Sequence, residues 1–427
     1  MLDKKITDFI KDKIKSIDEE LYVAQHSLWE NPETAWKEFH AHKVMTSFME
    51  KQPGWSVIKS ACGMETAFIA EFTHNATDST PVISYNAEYD ALPGIGHACG
   101  HNLISVCSLT AAVATATAMI EFDIPGTVKL FGTPAEEYGG GKIKFIDAGA
   151  YEGCDVSLIG HGSYGQTHAS ARTTAIKNFN VEFFGREAHA AASPWEGINA
   201  LDAMNIMYAS VAALRQQLMP SDIVQCCVNQ GGTVPNIITG YTSAAFAVRA
   251  PTLGRMNELF DKISNCVKAG ALATGCKFKI SILDTYANHI SNQVLAARFR
   301  DNMIRVFGEK MLSIDEDYRT GITGASTDQG NVSWVVPSLH PMFNVDNPYG
   351  AGPHTKDFAK AAGTREAHDS AVLTGMGLSV VGVELLLNPD LLAEVKAKFD
   401  DDINKAKGEL TSSVNSIKSF ADLEVTE

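Results

Sequence analysis

SYNAEYDALPGIGHACGHNLI, residues 84–104, crowds Glu88, Asp90, His97, Cys99 and His101 into fourteen positions, 88 to 101. An apolar strand over 81–85 is expected to feed it, and a nearly uncharged helix over 103–120 to leave it. Between them Pro93, Gly94, Gly96 and Gly100 interrupt regular backbone. A strand, a polar loop and a buried helix form the opening unit of an α/β sheet, whose ligands gather at the carboxyl ends of its strands.

Other strand exits carry the same kind of residue. Residues 127–131 form a predicted strand running into GTPAEEYGGGK, where Glu136 and Glu137 sit between Pro134 and three glycines. A strand over 155–159 ends in Gly160, His161 and Gly162, and the glycine-rich loop NPYGAGPHTKDF (347–358) carries His354. Upstream, Ile6, Ile10, Ile14, Ile17, Leu21, Ala24 and Leu28 recur at spacings of three and four, predicting an amphipathic helix over 3–30 that Asn31 and Pro32 end. A second helix is expected over 35–51 and strands over 55–59 and 66–72.

The pattern changes after His168. Strands over 173–184, 223–230, 241–249 and 277–285, with helices over 198–218 and 253–274, give the order βαββαβ, that of a small α+β unit. Residues 173–286 read as an inserted domain, with 1–172 and 287–427 forming the first. After it a helix over 294–307, the loop GASTDQGNVSWVVP (324–337), an apolar helix over 373–387 and a charged helix from Asp390 that frays beyond about Leu410 are expected.

Composition narrows the function. A net charge of −15 argues against a nucleic-acid or anionic-membrane surface, since phosphate binding needs clustered Lys and Arg. No secretory leader is evident, so a cytoplasmic protein is expected. The eight cysteines form no CxxC pair, and most read as buried reduced thiols. HExxH, a Walker loop, a GxSxG elbow and GxGxxG after the first strand are all lacking.

What remains is metal chemistry. Thiolate, imidazole and carboxylate are the ligands of a borderline divalent ion, and Cys99, His101, Glu137, His161 and His354 are the candidates. Two bridged ions, Zn or Mn with Co possible, would suit a hydrolase. An alternative uses Cys99 as nucleophile with His97 or His101 as base, but leaves the Glu pair and the GPH loop without a purpose.

The succession YDALPGIGHACGHN, PAEEYGGGK, IGHG, GREAHAAASPWEGINALDA, GTVPNIITG and GPH resembles the M20 family of metallopeptidases and amidohydrolases, closest to its aminoacylase and aminobenzoyl-glutamate hydrolase branch. The resemblance implies an α/β catalytic domain with a mixed sheet and an inserted α+β lid or dimerisation domain. It also implies a homodimer acting on a small amide or dipeptide, with neither nucleic acid nor membrane as partner. Carried onto this chain, it makes Cys99 the bridging ligand, with His101, Glu137, His161 and His354 completing a two-ion set, and Glu136 the general base. Asp90 would orient a metal-bound imidazole; the family's preceding His is replaced by Glu88, so Glu88 is not a simple substitute ligand. His189 would stabilise the oxyanion in the partner's site, Asn236 and Arg249 would take the substrate carboxylate, and Ser326, Thr327 and Asp328 would line the substrate pocket. The same site run in the amide-forming direction, or a non-catalytic homologue, are the alternatives.

Overall fold

The computed structural model describes residues 2–417 in two compact units: the chain up to 172, 289–323 and 327–403 in the first, and 173–288, 324–326 and 404 onward in the second. The first begins with α1 (Lys4–Glu30), capped by Asp3, whose carboxylate accepts from Lys5 N, and buried along Ile6, Ile10, Ile14, Leu21 and Leu28. Helix α2 (Phe39–Glu50) starts four residues later than the sequence predicts. Trp36 takes a left-handed φ of 66°, which no helix accommodates, so helical geometry begins only beyond it.

Then follow β1 (Trp55–Lys59), β2 (Phe68–His74), β3 (Val82–Glu88), α3 (His101–Glu121), β4 (Gly126–Thr133), α4 (Gly141–Asp147), β5 (Val156–Leu158) and β6 (His161–Ser163). Strands β3 and β4 are parallel, as are β3 and β5, whereas β1, β2 and β4 are successively antiparallel. Helix α3 is apolar all round and buried from His101 to Ala116, as a helix without a polar face must be. The short helix α4, unpredicted because GGGK reads as a turn, starts where Gly140 reaches φ 64°.

The second unit comprises β7 (Ala175–Phe184), α5 (Ala200–Leu214), β8 (Ile223–Gln230), β9 (Tyr241–Ala250), α6 (Leu253–Thr274) and β10 (Lys277–Tyr286). Its antiparallel sheet has the order β10-β7-β9-β8. Phe179, Val181 and Phe183 alternate with Ala244, Phe246 and Val248 on the face buried with Met204 and Met207 of α5 and Leu259 and Ile263 of α6.

Past it the first unit resumes with α7 (Gln293–Phe307), α8 (Ile314–Thr320), α9 (Gln329–Val332), β11 (Ser338–Leu339), β12 (Met342–Asn344), α10 (Lys356–Ala361) and α11 (Arg365–Leu387), then α12 (Pro389–Ile417). Strand β11 joins β5 in parallel and completes a mixed six-stranded sheet, β1-β2-β4-β3-β5-β11; β12 pairs with β6. Helix α11 starts eight residues before the apolar run does, because Thr364 caps it through Ala367 N. Helices α3 and α11 are long and apolar enough to cross a bilayer, yet 89% and 78% of their most apolar windows are buried in the fold. The tail expected to fray near Leu410 continues as helix to Ile417, and the polar end after that lies outside the described residues.

Candidate active site

Asp90, just past β3, fixes two things at once. Its Oδ1 accepts from His101 Nδ1 at 3.0 Å and its Oδ2 from Glu137 N at 2.9 Å. The first bond assigns the proton to Nδ1 and leaves the His101 Nε2 lone pair buried and without a hydrogen-bond partner. The second turns the Glu137 backbone so that its Oε1, also buried and unpartnered, lies 3.9 Å from that Nε2. Buried polar atoms left this way are costly unless something binds them.

Cys99 stands between two donor groups. Cys99, His101 and His161 offer ligand atoms within 4.8 Å of one another, and so do Cys99, Glu137 and His354. His161 gives Nδ1 to the Gly162 carbonyl at 2.7 Å, which leaves its Nε2 3.6 Å from Cys99 Sγ. His354 takes a left-handed φ of 65°, donates its amide to Ala98 O and brings Nε2 to 3.4 Å from Glu137 Oε1. Hence the five sequence candidates for ligands converge, with one thiol common to both sets. Two orphaned buried donors around a shared sulfur fit a pair of borderline divalent cations.

The same surroundings weaken the cysteine-nucleophile alternative. Cys99 lies just before Gly100, the residue that opens α3, where a helix dipole favours a thiolate. Shielding from solvent and then the Glu137 carboxylate instead push its thiol well above the ordinary value. A cation, rather than a base, is what would make this sulfur anionic. Glu136 is buried beside His101, its Oε2 3.7 Å from Nε2, and burial followed by Glu88 and Glu137 pushes its carboxyl well above the usual carboxylate range.

Glu88 has a partner that sequence reading missed. Lys142, at the start of α4, places Nζ 2.6 Å from Glu88 Oε1 and 2.6 Å from Asp328 Oδ1, and all three side chains are fully buried. Asp328 Oδ2 also accepts from Lys142 N at 2.9 Å. Asp328 is therefore bound up inside the first unit, with both oxygens turned to Lys142. Thr327 is likewise buried, its hydroxyl accepting from Gln329 N. A lysine after three glycines gives no sequence signal of burial, because the counter-charges lie 54 and 186 residues away.

The remaining candidates belong to the second unit. Arg249 on β9 donates through Nη1 to Ser326 Oγ at 3.0 Å. His189 and Asn236 are brought side by side, since Ala190 N donates to Asn236 O and Ile238 N to Ala188 O. His189 is exposed, and its Nδ1 accepts from Ala191 N and Ala192 N, each at 3.2 Å, so its proton resides on an outward Nε2.

These features define a class, α/β-sheet proteins that gather metal-competent side chains around one cysteine, and comparison with known proteins gives the family. Residues 172–274 match the peptidase dimerisation domain of M20 proteins. The mouse Xaa-Arg dipeptidase is 37% identical over 91% of this chain and 90% of its own length; a subunit of the p-aminobenzoyl-glutamate hydrolase of Escherichia coli K12 is 25% identical over 92% and 94%. A putative aminohydrolase from methicillin-resistant Staphylococcus aureus superposes with a TM-score of 0.69 at 18% identity, covering 88% of this chain and 99% of that one. A dinuclear metal-binding peptidase from Bacillus subtilis does so with 0.60 at 16%, covering 86% and 99%. The chain belongs to the M20 family and is an enzyme that hydrolyses amide bonds.

Proposed function

We propose that the protein is a cytoplasmic, metal-dependent dipeptidase or N-acyl amino acid hydrolase working as a homodimer. The observation that carries the reading is Cys99, shared by two donor sets that otherwise comprise His101 and His161, and Glu137 and His354. Two divalent ions there, Zn or Mn with Co tolerated by the same ligands, would supply Lewis acidity and acidify a water. Glu136, buried beside His101 with its Oε2 3.7 Å from Nε2, accepts the proton from the attacking water and returns it to the leaving amine. Asp90 holds the ligating imidazole in its tautomer and orientation.

For the substrate, the free carboxylate of the released amino acid is the recognised feature. Arg249, its guanidinium braced by Ser326, can engage a carboxylate through two parallel hydrogen bonds, with Asn236 as a further donor. Similarity to the mouse enzyme over nine-tenths of the chain makes dipeptides ending in arginine the first substrates to assay, ahead of N-acyl amino acids and aminobenzoyl-glutamate. The outward Nε2–H of His189 is a donor fit for the oxyanion of a partner subunit's substrate.

Replacing Glu136 with Ala is expected to abolish turnover while bound metal stays at the parent's level; full activity in that variant refutes the mechanism. Mixing His189→Ala chains with Glu136→Ala chains should restore partial activity through hybrid dimers, and no recovery at all excludes a shared site.

A further inference from the structure

Glu136 lies between two backbone amides that are each tied to a buried carboxylate. Glu137 N donates to Asp90, as described; on the other side Ala135 N donates to Glu38 Oε1 at 2.9 Å. Glu38 is wholly buried at the start of α2, far from Glu136 in sequence, and the same Oε1 accepts from Trp36 N at 2.9 Å. Thr66 donates its hydroxyl to the second oxygen at 2.8 Å.

Both amides on Oε1 belong to residues in strained backbone. Ala135 has φ 60° and Trp36 φ 66°, a region costly for side chains other than glycine. The turn after Ala135 is closed by Gly140 N donating to Ala135 O at 2.9 Å, and the Trp36 ring leaves no room for a Cβ on Gly139, which would fall 2.5 Å from Nε1. One carboxylate thus holds the entry to the Glu136–Glu137 turn and the indole that lies against its exit.

We propose that Glu38 is a positioning residue for catalysis: its carboxylate fixes the strained backbone at Ala135 and thereby aims the Glu136 carboxylate at the reacting water. The proposal rests on the reading of Glu136 as general base. Hydrogen-bond acceptance, not negative charge, is what it requires. Burial, with Asp90 next, pushes Glu38 up to about 7, and a proton on the oxygen facing Thr66 leaves Oε1 free to keep both amides. Glutamine, with a carbonyl in the place of Oε1, reproduces that state.

The experiment compares Glu38→Ala, Glu38→Gln and Glu38→Asp with the parent for kcat, KM and bound metal on a dipeptide substrate, with Glu136→Ala alongside. Glu38→Ala should lower kcat roughly 10- to 100-fold, since a displacement of about 1 Å at a catalytic group has that effect, with KM and metal content little changed. Glu38→Gln should restore kcat to within about threefold, because the acceptor is back. Parental kcat in Glu38→Ala overturns the proposal, and so does a Glu38→Gln variant as slow as Glu38→Ala. Should Glu38→Ala not fold, Glu38→Asp decides: one methylene shorter, it withdraws the acceptor from Ala135, and a kcat equal to the parent's overturns the idea. Turnover surviving in Glu136→Ala would instead remove the base assignment, independently of how the Glu38 variants rank.

Discussion

Lys142 shows what a single side chain does that no motif announces. Its ammonium sits between Glu88 and Asp328 with no access to water, and the two carboxylates, outweighing the cost of burial, hold its proton more tightly than usual. Lys142→Met should therefore destabilise the protein by about 3–5 kcal/mol, the cost of leaving buried charge unpaired, as read from urea unfolding at neutral pH. Legibility at this scale follows a physical line. Cys99, His101, Glu137 and His161 were readable because each sits at a strand exit flanked by glycine or a polar loop. Lys142 and Glu38 were not, because their partners are distant in sequence and a charged residue carries no mark of its own burial.

At the scale of elements, periodicity located most helices and strands, while backbone contacts set their ends and spacing. Helices α3 and α11 approach closely enough that a Cβ on Gly375 would stand 2.4 Å from the Cys107 carbonyl oxygen. Gly375→Ala is expected to force the pair apart and cost about 1–3 kcal/mol, the usual penalty for overpacking a filled core, visible as a lowered Tm. The late start of α2 and the existence of α4 escaped sequence reading for a related reason. Both are governed by left-handed residues, Trp36 and Gly140, a backbone choice that hydrophobic periodicity does not register.

For the whole molecule, the pH dependence of stability joins groups from remote places. Burial lowers His289 to about 4, and burial followed by Arg365 lowers His368 to about 4, against 6.5 in the unfolded chain. Between those values the unfolded chain binds the protons, so each histidine's stabilising contribution is lost as pH falls from 6.5 toward 4. Glu38 acts with the opposite sign: the native state keeps a proton that the unfolded carboxyl has released, and stability declines as pH rises from 4.5 to about 7. A His368→Gln variant should accordingly lose less stability between pH 6.5 and 4 than the parent, by on the order of 2–3 kcal/mol, measured by denaturant titration at each pH. The fold class was legible in the alternation of strands and helices; these couplings were not, since they depend on which side chains end up dry.

Under the proposed two-ion reading, one sulfur atom would also tie the enzyme to the redox state of its surroundings. Cys99 stands at the position common to both donor sets. Peroxide that converts it to a sulfenic acid would withdraw a ligand from two ions at once. Dilute hydrogen peroxide should release both metals together, as counted by elemental analysis after desalting, and a thiol reductant should restore binding. A Cys99→Asp variant, with an oxygen ligand that cannot climb that oxidation ladder, should hold its metals through the same treatment.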